Sequence, residues 1–152
     1  MMLKVEDVMV EDVITVDSDV PVMEAVGLMN KQEIGCLIVV RRGKAVGIVT
    51  ERDLLKRVLA ESRDPKKTKV RQIMSKPLIY GEPDMDIEDA ARLMFSKKIK
   101  KLPVVEKGKL VGLVTLTDLA RFQPQLMKIL KKIANKELAP RRMTKVLGYY
   151  VV

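Results

Sequence analysis

Two stretches of this sequence hold residue types at a spacing that could do chemistry. They are Gly47-Ile48-Val49-Thr50-Glu51-Arg52-Asp53 and, 65 residues further on, Gly112-Leu113-Val114-Thr115-Leu116-Thr117-Asp118. Each runs from a glycine through apolar residues to a Thr and an Asp three positions apart, at a strand-to-helix corner. Two readings are compatible. Thr50 and Thr115 can cap their helices, with Asp53 and Asp118 completing an imperfect capping box worth about 1 kcal/mol. The same corner can receive a ligand: glycine admits a close neighbour, free N–H groups and the helix dipole attract phosphate, and Asp accepts two hydrogen bonds from a ribose diol.

Other chemistries are closed off by composition. The chain has no His and one Cys, so Ser-His-Asp, Cys-His and His-rich metal constellations cannot be assembled. No paired-carboxylate pattern stands out among the 32% charged residues, and an enzyme is not expected. Cys36 lacks a disulfide partner in the chain and precedes the apolar run Leu37 to Val40, so it reads as a small buried hydrophobe.

The elements that position the corners are themselves duplicated. Residues 5–54 align without a gap on residues 70–119, and more than a third of the columns hold the same residue. Each copy reads as β-α-β-β-α. A short strand comes first, Val13-Ile14-Thr15-Val16 and Leu78-Ile79-Tyr80. Residues 17–21 and 82–85 then offer helix starts, with acids and a proline near the first turn. Apolar residues at 22, 25, 26 and 29, and at 87, 90, 91 and 94, form the stripe of an amphipathic helix. Two β-branched runs follow, turning at Arg41-Arg42-Gly43-Lys44 and Glu106-Lys107-Gly108-Lys109, where the glycine signals a hairpin. A second helix begins at Glu51 or Leu116 and, in the first copy, runs toward Ser62.

The expected fold is therefore α/β (α+β): tandem β-α-β-β-α repeats about a pseudo-two-fold axis, plus a C-terminal helical extension. Residues 1–62 form the first repeat, 63–69 a linker, 70–122 the second repeat and 123–152 a basic extension. One unit of about 60 residues buries too little surface to be comfortably stable alone. Packing the two sheets together hides their open faces and leaves two equivalent clefts where the copies meet.

Charge is unevenly placed. Residues 1–54 carry a net −4, residues 55–69 +4, residues 70–119 +2 and residues 120–152 +7. Pro124 can open a helix with Leu126, Ile129, Leu130, Ile133 and Ala134 on one side and Lys128, Lys131, Lys132 and Lys136 on the other. Val146 to Val152 read as a strand, added to a neighbour's sheet edge. No apolar run is long enough to span a membrane, and the N-terminus lacks a signal-peptide pattern, so a cytoplasmic location is expected.

Gly-hydrophobic-Val-Thr-x-x-Asp after a glycine-turned hairpin, used twice, resembles the cystathionine-β-synthase (CBS) domain family. The recurrence in register with Met9 and Met74, the amphipathic helix and Leu102-Pro103-Val104-Val105 makes the ungapped pair, residues 5–119, similar to one Bateman module. The resemblance implies a regulatory sensor binding AMP, ADP, ATP or S-adenosylmethionine between the repeats, commonly as a homodimer, and acting on another polypeptide. One cleft would use Ile48, Thr50, Arg52 and Asp53 with Leu78, Ile79, Ile99 and Lys100, with Lys101 completing a basic pair toward the phosphates. The other would use Leu113, Thr115, Thr117 and Asp118 with Met9, Asp12, Ile14, Ile34 and Gly35. Asp53 and Asp118 would hold ribose, and the aliphatic residues would sandwich adenine. Gly35-Cys36 stands where the second copy has Lys100-Lys101, so the same ribose grip with unequal phosphate contacts is expected. The alternative is a nucleic-acid-associated regulator, in which the basic extension binds phosphate backbones and the repeats serve for dimerisation.

Overall fold

A computed structural model describes residues 3–126 together with Lys128 and Lys132. The first copy contains α1 (Val5–Val8), β1 (Thr15–Asp17), α2 (Val22–Gln32), β2 (Cys36–Arg41), β3 (Lys44–Thr50) and α3 (Glu51–Leu54), which continues as a π-helical stretch, Leu55–Leu59. The second contains α4 (Val70–Ile73), α5 (Ile87–Ser96), β4 (Lys101–Glu106), β5 (Lys109–Thr115) and α6 (Leu116–Phe122).

The hairpins form where expected. Arg41 pairs with Lys44 and Glu106 with Lys109, leaving two-residue loops. Arg42 and Gly43, like Lys107 and Gly108, all have positive φ, the conformation that matches the twist of the flanking strands and makes glycine the natural second residue. The helical stripe is also found: Val22, Ala25 and Met29 are buried on α2, and Ile87, Ala90, Ala91 and Met94 on α5.

The first strands depart from expectation. In copy one the strand is Thr15–Asp17, parallel to β2, so Val13 and Ile14 precede it. In copy two Leu78-Ile79-Tyr80 is not a strand, and only Gly81 pairs, with Val104. Glycine replaces Val16 at that point and Pro83 follows, both unfavourable for a continuing strand. The second sheet therefore has two strands and the first has three.

The short leading helices α1 and α4 were not anticipated, and they join the copies. Each crosses to the other repeat. Val5 N donates to Met85 O at 2.8 Å and Val70 N to Val20 O at 2.9 Å, symmetry-related bonds 65 residues apart. Val5 and Val8 lie in the core with α5, β4 and β5, whereas Val70, Ile73 and Met74 lie in the core with α2, β2 and β3. Full burial of each such side chain contributes about 1.5–3 kcal/mol, so neither core is complete without the other copy. Beyond the helices, Val10 exchanges backbone hydrogen bonds with Leu113 on β5, and Ser75 with Ile48 on β3.

These crossings give Gly47 and Gly112 their role. A Cβ at Gly47 would lie 2.7 Å from Met74 Sδ and 2.9 Å from the Ser75 carbonyl oxygen. At Gly112 it would lie 2.5 Å from Met9 Sδ. The close neighbour that each glycine admits is the partner repeat. Leu126 is buried in the second core, while Lys128 and Lys132 are helical and exposed. The rest of the expected amphipathic helix and the strand at Val146–Val152 lie outside the described residues.

Candidate functional site

Both corners form the expected capping box, but the two aspartates differ in what else they hold. Thr50 N donates to Asp53 Oδ2 at 2.9 Å, and Asp53 N donates to Thr50 Oγ1 at 3.3 Å. The Thr50 hydroxyl donates to the same carboxylate oxygen at 3.1 Å. The other oxygen, Oδ1, accepts from Ser75 Oγ at 2.7 Å and has Arg57 Nη1 at 3.9 Å. Arg57 Nη1 also donates to the carbonyls of Ile73 and Met74, at 3.1 and 2.8 Å. Asp53 is thus 6% exposed, and both its oxygens are engaged by the crossing segment or the cap.

At the second corner only the cap is present. Thr115 N donates to Asp118 Oδ2 and Asp118 N to Thr115 Oγ1, both at 3.1 Å. Val10 stands where copy one has Ser75, and Phe122 where it has Arg57. Neither side chain can donate a hydrogen bond. Asp118 is half-buried, and among the described residues its Oδ1 has no partner.

A small cleft of about 110 Å³ opens between the copies. Its walls include Ile14, Ile34 and Leu113, with Asp12 and Lys101 as the charged members. Four of the residues expected for one cleft, Asp12, Ile14, Ile34 and Leu113, are therefore brought together. Thr115 lies two residues beyond Leu113 on β5, so both point to the same face of the strand. Ile14 and Ile34 also pack against the first core, and Ile79 and Ile99, their counterparts, against the second.

Several expected positions differ. Lys101 was grouped with the cleft of Thr50 and Asp53. The β-ladder sets it directly opposite Thr115, and directly opposed residues share a face, so it lines the cleft with Leu113 and Asp12. Cys36 is opposite Thr50 in the other copy, which leaves that corner without a cation at this position. Met9 packs on Gly112 and the second core rather than lining the cleft. Gly35 lies against Glu51, 3.0 Å from Oε1 at its notional Cβ, because its carbonyl accepts the first helical N–H, that of Glu51, at 3.1 Å. Arg52, Lys100 and Thr117 are exposed, and Leu78 is half-buried. Ile48 is half-buried and bonded through its backbone to Ser75.

Sequence reasoning missed Val10, Val13, Cys36 and Ile38 as cleft residues. Cys36 and Ile38 were accessible to it, since they alternate on β2 and share a face. Cys36 is buried as expected, at 7% exposure, yet it also contributes to the cleft wall. Ser75 and Arg57 carried no local signal. Their contact with Asp53 depends on the crossing of the leading segments.

Two related units, each a helix followed by a β-hairpin and a second helix, that exchange leading segments across a pseudo-two-fold axis, with a cleft between them, define a tandem-repeat module. The CBS domain family matches the chain twice, over residues 5–60 and 70–124, and the chain belongs to that family. Among its relatives, CBS domain-containing protein YhcV of Bacillus subtilis is 40% identical over 119 residues, 78% of this chain and 84% of that protein. The crystal structure of a conserved CBS domain protein, TA0289 of Thermoplasma acidophilum, superposes with a TM-score of 0.76 at 31% identity, covering 93% of this chain and 83% of that one. The CBS domain pair of protein MJ0100, solved in complex with 5'-methylthioadenosine and S-adenosyl-L-methionine, superposes with a TM-score of 0.73 at 31% identity, covering 82% and 98%. Among the described residues, no helix is long and apolar enough to cross a membrane.

Proposed function

We propose that this chain is a regulatory module that binds an adenosine ligand (AMP, ADP, ATP or S-adenosylmethionine) between its repeats and reports occupancy to another polypeptide. The observation that carries the reading is the cleft itself. Aliphatic side chains of Ile14, Ile34 and Leu113 form walls of the kind an adenine ring requires, and the corner Thr115–Asp118 offers a carboxylate to ribose. Lys101 supplies one cation for a phosphate or carboxylate. The bound adenosine ligands of the MJ0100 pair support the same ligand class.

The role proposed for the cleft is ligand binding. The module acts as a homodimer. Exposed Leu55, Leu59 and Phe122, on the helical segments that follow β3 and β5, supply apolar surface for that pairing. Thermal unfolding with each ligand tests the reading. A ligand present at 100 times its dissociation constant stabilises the fold by about 2.7 kcal/mol, a midpoint rise of roughly 5–11 °C for a chain of this size. The absence of any shift with all four would refute it.

A further inference from the structure

The duplication suggests two equivalent sites, but the two corners are chemically unequal, and the hydrogen bonding and burial of the two aspartates favour the same one. We propose that this chain binds a single adenosine ligand, at the Asp118 corner, and that the Asp53 corner is held closed by the chain's own Ser75 and Arg57. This rests on the adenosine reading above and specifies which half of the duplicated motif performs it.

A carboxylate that grips a ribose diol needs acceptor capacity that is both unused and reachable. Asp53 has neither. Its Oδ2 serves Thr50 N and Thr50 Oγ1, its Oδ1 accepts from Ser75 Oγ at 2.7 Å with Arg57 Nη1 at 3.9 Å, and the residue is 6% exposed. A ribose entering there would displace the Ser75 hydroxyl and leave it to find another partner, so the gain from the new bonds would be offset by the loss of the old. The lock is covalently present at high effective concentration. Ser75 is anchored by reciprocal backbone bonds to Ile48 at 2.8 and 3.1 Å, and Arg57 pins the preceding carbonyls of Ile73 and Met74.

At the mirror position neither the serine hydroxyl nor the arginine is present among the described residues. Val10 makes the same backbone exchange with Leu113, both bonds 2.9 Å, but carries no hydroxyl. Asp118 therefore keeps Oδ1 available, half-buried at the end of the strand whose Leu113 lines the cleft. The cation falls on the same side. Lys101 opposes Thr115 in the ladder, whereas Cys36 opposes Thr50. An anionic substituent of an adenosine ligand in the cleft thus has Lys101 as its counter-charge, on the strand that leads to the Thr115–Asp118 corner.

Isothermal titration calorimetry of the full chain with AMP and with 5'-methylthioadenosine tests this, with concentration fixed by amino-acid analysis. The expected stoichiometry is one ligand per chain. Asp118→Ala should weaken binding by roughly 10- to 100-fold, the range for hydrogen bonds to a charged group. Unfolding curves of that variant will confirm that it remains folded. A second variant works by addition. Val10→Ser, at a position 51% exposed, places beside Asp118 the hydroxyl that ties Asp53, and should weaken binding by roughly three- to tenfold. Two ligands per chain, or a full-affinity site surviving in Asp118→Ala, would overturn the single-site proposal while leaving the adenosine reading intact. No heat from either probe, joined to the absence of thermal shifts with all four ligands above, would overturn the adenosine reading itself.

Discussion

Gly47→Ala inserts one methyl group where the two copies touch, and its cost can be worked from the distances. The new Cβ would lie 2.9 Å from the Ser75 carbonyl oxygen and 2.7 Å from Met74 Sδ. That carbonyl accepts Ile48 N at 3.1 Å, so retreating from the methyl stretches the bridge that joins the repeats. Overpacking of this kind costs about 1–3 kcal/mol, and the loss of glycine's unfolded-state freedom returns about 0.4–1 kcal/mol. The midpoints of these ranges give a net destabilisation of about 1.3 kcal/mol, or roughly 3–5 °C in unfolding midpoint. Gly112→Ala is the internal comparison. There the tightest neighbour is Met9 Sδ at 2.5 Å, the end of a flexible side chain, and the Val10 carbonyl oxygen stands off at 3.1 Å. The methionine can turn away, so the cost should be smaller than at Gly47 by about 1 kcal/mol. Urea unfolding with matched m-values measures both. A Gly47→Ala variant as stable as the parent, or a reversed order of the two variants, would refute the idea that these glycines exist to admit the crossing segments.

Three further outcomes are expected. Ser75→Ala removes the 2.7 Å bond to a buried carboxylate and should cost about 1.5–3 kcal/mol in urea unfolding, whereas Val10→Ala at the exposed mirror position should stay within about 0.5 kcal/mol; equal effects would contradict the closed corner. Lys101→Ala should weaken AMP by roughly tenfold while leaving adenosine nearly unchanged in calorimetry, and a uniform loss for both would deny the lysine a phosphate role. Lys4 is raised above its ordinary pKa, chiefly by its hydrogen bond to Asp86 at 2.7 Å. A raised lysine contributes stability that is present below its unfolded pKa of 10.5 and is lost as pH rises through the higher folded value. Lys4→Met should therefore flatten the alkaline limb of the stability profile without adding an acid one, and an unchanged limb would exclude this pair as its source.

What could be read from the sequence was what is local. The two-residue turns at Arg42-Gly43 and Lys107-Gly108 follow from backbone preferences of a few residues, and the buried stripes of α2 and α5 follow from helical period. The capping boxes were visible from the Thr-x-x-Asp spacing alone. The exchange of leading segments was not, because Val5 and Val70 look like any valine, and the carbonyls that receive them, on Met85 and Val20, are distant in the chain. The same non-locality hid the difference between the aspartates, which is decided by Ser75 and Val10 arriving from the opposite copy. Lys101 was noticed, yet its cleft depended on its register opposite Thr115, a fact of pairing that no single strand's sequence contains. Gly81 in place of Val16 was readable as a weak strand position, and it is there that the second sheet loses its third strand.

The central claim is that one adenosine ligand sits between the repeats with its ribose on Asp118. A crystal structure of the full chain grown with saturating 5'-methylthioadenosine tests this most directly. We expect one molecule of density per chain, adenine against Ile14, Ile34 and Leu113, ribose oxygens within hydrogen-bond distance of Asp118, and the Ser75–Asp53 bond intact. Ligand density at Asp53 with Ser75 displaced, or an empty cleft at saturation, would contradict it.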